Sequence, residues 1–222
     1  MNVKERYAYA SLYTGIFMYI AFNLVLSKPP LSILIIGLSI ILMILLLGVV
    51  EPLLVLMRDE YTEEYTNRTS WYGRRTPVFL RSIPANYAGM SIGFLPKLKF
   101  IVLNREALEK MDEKCKKALL AHEMGHIMYN HMAKHVLLGI FLISLSVVIP
   151  VLLGLIPSII YILLIPVILI RSVRKHEQEA TGYAILYVGH ESYDTFIVRL
   201  RELIEVRGIT GFLYMLTHDH PE

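Results

Sequence analysis

Three stretches without a charged side chain constrain this chain more than any other feature. Residues 7–27, 31–50 and 136–170 contain no Asp, Glu, Lys or Arg. At 1.5 Å of rise per residue, about twenty such residues cross the ~30 Å of hydrocarbon in a bilayer as a helix. The 55% hydrophobic content is concentrated in these runs, which excludes an ordinary soluble domain and predicts a mainly α membrane protein. Pro29 and Pro30, after Lys28, break the first two runs into a tight hairpin. The first run has no small-residue cleavage site and is followed at once by a second, so it reads as an anchor and not a removed leader. The third run is too long for one crossing, because its residues would extend about 52 Å as a straight helix. Gly154-Leu155-Ile156-Pro157 offers a turn. The run then reads either as two short spans, 136–153 and 158–170, or as a hairpin that enters the bilayer and bends back. Both give four hydrophobic helical segments and return the chain to the side it left.

The chemistry is carried by His122-Glu123-Met124-Gly125-His126. On a helix, positions i and i+4 share a face, so both imidazoles can reach one zinc ion. Glu123, displaced around the helix, is poorly aimed to ligate that ion but well aimed to take a proton from a water bound to it. Lys116 to His131 reads as one helix, with Leu119, Leu120, Ile127 and Met128 as an apolar stripe and Asp112 as the N-cap. Two histidines leave a catalytic zinc one protein ligand short. The continuation that supplies a third histidine fails, because Tyr129 and Met132 occupy the required positions. A downstream glutamate is the next possibility.

Arg174 to Ala184 reads RKHEQEATGYA. It resembles the R-x-x-E-x-x-A-D-x-x-A helix of membrane gluzincin zinc peptidases of the HtpX type and their relatives, the CAAX prenyl proteases. The resemblance implies a small α+β zincin-like catalytic domain among the membrane helices, with Glu177 as the third zinc ligand and Glu179 as the substitute if the helix register differs. A shared site also requires the third hydrophobic run to double back, since one crossing would put Glu177 on the face opposite His122 and His126. Asn86, in ANYAGMSIG, is similar to the family's Asn-Ala segment before the strand at the rim of the cleft. Thr217-His218-Asp219-His220-Pro221 is similar to its T/S-H-P segment. Asn86 and His220 are thereby expected to stabilise the oxyanion, and His131 matches a histidine often found after the motif. One departure is Thr181, where the family has an aspartate that orients a zinc-bound imidazole. A hydroxyl accepts the same hydrogen bond more weakly.

The expected organisation is an N-terminal transmembrane hairpin (1–50), a catalytic part with the motif helix and a β-hairpin (51–135), a second transmembrane or re-entrant hairpin (136–170) and a C-terminal catalytic part (171–222). Residues 87–94 and 98–103 predict the β-hairpin, turning at Pro96-Lys97. Its free edge could add an extended peptide strand through main-chain hydrogen bonds. Residues 51–84 carry no assignable pattern. Tyr193, Phe196, Ile197, Leu200, Leu203 and Ile204 repeat at helical spacing and read as core. His135 and His176 flank the apolar runs and read as interfacial or solvated.

Every Lys and Arg except Lys28 falls on the side of the motif, which predicts a multi-pass protein of the cell membrane with a cytoplasmic active site. The net charge of +3 is explained by cations beside spans and needs no nucleic acid. The single Cys115 fits a reducing compartment and a packing role. The expected activity is peptide-bond hydrolysis by a zinc-activated water, on protein or peptide substrates, in quality control of membrane proteins. The alternative is an inactive zinc-binding membrane adaptor, motivated by Thr181. A channel or transporter finds no intramembrane charge in the three runs.

Overall fold

The computed structural model describes residues 3–27, 30–82 and 88–203. It is mainly helical, with four long apolar helices and a small mixed sheet. Helices α1 (Val3–Leu26) and α2 (Leu31–Leu45) form the first pair. The second does not stop at the end of its uncharged run: a π-helical turn, Leu46–Val50, leads directly into α3 (Glu51–Arg58). Pro52 lies in the first turn of α3 and has no N–H to donate. The wider π turn before it accommodates the missing hydrogen bond.

Strand β1 (Glu60–Thr62), helix α4 (Glu63–Thr69) and a 3₁₀ turn at Ser70–Tyr72 lead to β2 (Val78–Arg81). Thr66 and Thr69 hold this segment together: the hydroxyl of Thr69 accepts from the Thr76 N–H, and that of Thr66 accepts from the Val78 N–H. Strands β3 (Gly89–Ile92) and β4 (Phe100–Asn104) form the expected antiparallel hairpin. The order β1-β2-β4-β3 places β4 at the centre, parallel to β2. β4 is buried throughout, and its alternation divides the core. Phe100 and Val102 pack with Val55, Phe79 and Ile92, while Ile101 and Leu103 face the cluster around Leu119, Leu120 and Met124. β3 forms one edge of the sheet and lies against the motif helix.

A short α5 (Arg105–Glu109) precedes α6 (Glu113–Met128), which carries the motif. Asp112 caps α6 as expected, its carboxylate accepting from the Cys115 N–H at 2.7 Å. The expected continuation to His131 is not observed. α6 ends at Met128, Asn130 takes a left-handed conformation (φ 53°), and His131 opens α7 (His131–Leu153). Asparagine tolerates that conformation better than most residues, so the chain turns without a glycine. α7 and α8 (Leu155–Val188) are joined at one residue, Gly154, whose φ of 82° reverses the chain. Pro157 sits harmlessly in the first turn of α8. The two helices run antiparallel, with the Tyr161 hydroxyl donating to the Leu142 carbonyl near the turn and His176 beside His135 further down. α8 continues unbroken past residue 170, so the same helix that lies in the apolar pair delivers Glu177. α9 (His190–Leu203) packs on α6 through Tyr193, Phe196 and Ile197.

Candidate metal centre

α6 and α8 cross so closely that a Cβ on Gly125 would lie 2.9 Å from the Ala180 Cα. That approach brings the faces of both helices into one polar pocket. His122 and His126, one turn apart on α6, meet Glu177 of α8, and one ligand atom from each lies within 4.8 Å of the others. The Nε2 atoms of the two histidines are 3.2 Å apart. Glu177 Oε2 is 3.2 Å from His122 Nε2, and Oε1 is 3.6 Å from His126 Nε2. Ligands at about 2.0–2.1 Å from a tetrahedral zinc are themselves about 3.3–3.4 Å apart. The three groups therefore fit zinc in both donor type and spacing.

The protein sets the tautomer of each imidazole from behind. His131 Nε2 lies 2.9 Å from Glu179 Oε2, and its Nδ1 lies 2.8 Å from His126 Nδ1. With His131 donating to the carboxylate, its Nδ1 accepts from the Nδ1–H of His126, and the His126 Nε2 lone pair is left facing Glu177. On the other side the Tyr193 hydroxyl is 3.3 Å from His122 Nδ1 and 2.8 Å from Thr181 Oγ1. When Tyr193 donates to Thr181, its oxygen accepts from the Nδ1–H of His122, and Nε2 again presents a lone pair. Thr181 thus acts on His122 through Tyr193.

Burial alone would push His122 below the ordinary histidine range, but the hydrogen bond and charge of Glu177, with the charge of Glu123, raise it above that range. Glu123 lines the same cavity as the three converging groups and lies against β3, its Oε1 beside Gly89 and its carboxylate accepting from the Ser91 backbone N–H. Burial pushes its carboxyl up to about 7; His122 opposes the shift and the negative charge of Glu177 adds to it. A cation among the three ligands would draw Glu123 back down. The cavity in front of these groups, about 240 Å³, is bordered by Gly89, Met90 and Ser91 of the edge strand.

Of the residues singled out from sequence, His122, Glu123, His126 and Glu177 come together here, while Asn86 and His220 lie outside the described residues. Glu179 does not join the cluster; it pairs with His131 and with Lys134 at 2.8 Å. Two expectations need correction. Tyr193 is buried as core residues are, but its hydroxyl reaches the site. His176 is also buried and not solvated, stacked on His131 at 4.4 Å between ring centroids. Sequence spacing carries no signal for Tyr193, because its partner is 71 positions away.

Comparison with known proteins agrees with this geometry. The fold is similar to a crystal structure of Ste24p from S. mikatae, with a TM-score of 0.57 and 18% sequence identity. That similarity covers 96% of this chain but 62% of the other, so this chain spans less than two thirds of that protein. No curated protein matches the sequence. The description of peptidase family M48 matches residues 77–222, a range that takes in the α6 histidines and the α8 glutamate. Because that match extends over well more than half of the chain, the chain belongs to peptidase family M48.

Proposed function

We propose that this protein is an integral-membrane zinc endopeptidase. The observation that carries the reading is the placement of Glu123 between the His122, His126 and Glu177 cluster and an edge strand of the sheet. Zinc bound there supplies Lewis acidity toward a carbonyl and makes water acidic enough to ionise near neutral pH. Glu123 takes the proton of the attacking water and hands it to the leaving amine. β3 pairs with the substrate as an added strand, so that main-chain hydrogen bonds hold the scissile peptide in front of Glu123 with little demand on side chains. His131 and Tyr193 keep the two imidazoles in the ligating tautomer. Asn86 and His220 are assigned to the oxyanion on the strength of the family resemblance.

The four apolar helices support a multi-pass membrane protein, and the distribution of Lys and Arg supports an active site on the cytoplasmic side. Substrates are inferred to be surplus or misfolded membrane proteins, following the resemblance to the HtpX type. An inactive adaptor is disfavoured, because the Thr181 hydroxyl is engaged with Tyr193 behind His122.

The test is cleavage of casein by the zinc-loaded protein in detergent, beside Glu123→Gln. Cleavage that disappears in the variant while zinc stays bound supports the proposal. Equal cleavage by both proteins, or none by either with zinc fully bound, refutes it.

A further inference from the structure

A second cavity, about 450 Å³, lies apart from the metal centre and is bordered by Arg6, Arg74, Arg75, Lys97 and Lys99. No Asp or Glu lines it among the described residues. Five cations around one cavity repel each other unless an anion joins them. Burial, and after it the neighbouring Arg74 charge, hold the Lys99 ammonium below the ordinary lysine range. Lys99 also donates to the Asn130 side chain, and Arg6 donates to the Lys97 carbonyl at 2.7 Å, so these two walls are fixed by bonds within the protein.

The cavity's position names the source of the anion. The β3–β4 turn rests on the first turns of α1: Lys97 lies over the Tyr9 ring at 4.1 Å, Tyr13 donates to the Pro96 carbonyl, and Leu98 is buried against Ala10 and Val49. Arg6 is the first residue of the apolar span. Tyrosines and cations at the end of a span mark the headgroup level of a bilayer. We propose that this cavity is a binding site for a phosphate group, supplied by the headgroup of an anionic phospholipid. Arg74 and Arg75 reach it from the loop before β2, so an occupied site ties the sheet that borders the metal centre to the membrane surface. Basic pockets beside membrane helices bind anionic headgroups in this way.

Trp71, the one tryptophan of the chain, lies three residues before Arg74 and is exposed, which makes it a reporter. The experiment measures energy transfer from Trp71 to phosphatidylglycerol carrying a dansyl group on its acyl chain, in neutral detergent, with dansyl phosphatidylcholine in parallel. Saturable transfer is expected for phosphatidylglycerol, with an apparent affinity on the order of ten-fold weaker in Arg74→Ala/Arg75→Ala. Both arginines are exposed, so the variant should keep its zinc and its casein cleavage; Lys99→Ala serves if it does not. Displacement by unlabelled phosphatidylglycerol but not by 10 mM inorganic phosphate, about the concentration of a competing buffer anion, supports the lipid source. Displacement by inorganic phosphate alone overturns the lipid source. Equal transfer for the two lipids, or for parent and both variants, overturns the site.

Discussion

Residue by residue, the candidate site depends on lone pairs being aimed as much as on ligands being present. Tyr193→Phe keeps the ring against His122 but removes the hydroxyl between His122 and Thr181. Zinc affinity is expected to fall about 10-fold or more with the fold retained, as measured by chelator competition. Tyr193→Ala would add a packing loss and would not isolate the hydroxyl. The raised His122 gives a second expectation. A proton and zinc compete for the same Nε2, and Glu177 and Glu123 favour the proton in the zinc-free protein. Zinc affinity should therefore weaken as pH falls through the range in which His122 gains its proton, and zinc binding should release protons. Calorimetry in two buffers of different ionisation heat measures that release; a binding heat independent of buffer at neutral pH would contradict it. Burial and Asp112, by contrast, push the Cys115 thiol up to about 11. That thiol packs under α9 and takes no part in the chemistry.

Among the elements, the crossing of α6 and α8 decides whether a site exists. Gly125→Ala would drive a methyl into the α8 backbone at Ala180. The helices must then separate, at a cost of about 1–3 kcal/mol. Thermal unfolding with and without zinc measures it: a lower melting temperature and weaker zinc binding are expected together. The sequence revealed α6, its cap and the β-hairpin, since each rests on local signals: i to i+4 spacing and a capping carboxylate on a helix, strand-forming residues on either side of a turn. It made Glu177 legible only through the resemblance of Arg174 to Ala184 to the family's glutamate-bearing helix. It did not reveal the helix break at Asn130, because Tyr129-Asn130 contains neither glycine nor proline and the apolar pattern runs on. β2 was equally hidden: four residues, paired in parallel with a strand more than twenty positions away. The role of Tyr193 was masked by its regular place in an apolar stripe, since spacing along a helix reports which face is buried and not what a hydroxyl finds there.

For the whole molecule, the apolar surface of the long helices requires a bilayer. Leu152, Leu155, Ile156 and Leu163 are each about 70% exposed in the isolated chain, and contiguous apolar surface of that extent is not tolerated in water. In sequence, Lys28 is the one Lys or Arg between the first two uncharged runs, and the proposed orientation puts that connection on the side opposite the motif. Lys28→Cys is therefore expected to react with a membrane-impermeant maleimide in intact cells. Arg68→Cys is expected to react only after the cells are opened, and buried Cys115 gives little background. The reverse pattern would invert the proposed orientation. At this scale the sequence was informative because bilayer thickness translates directly into run length. Gly154 reverses the chain in one residue and lets α8 run from the apolar pair to Glu177 without interruption.

The most direct test of the central claim, that α6 and α8 together build one catalytic zinc centre, is zinc content measured beside casein cleavage in the parent, Glu177→Ala and Glu179→Ala. Glu177→Ala is expected to lose both bound zinc and cleavage, while Glu179→Ala keeps the metal with reduced affinity and retains activity. Full zinc and full cleavage in Glu177→Ala, with both lost in Glu179→Ala, would contradict the assignment and move the third ligand to the other glutamate.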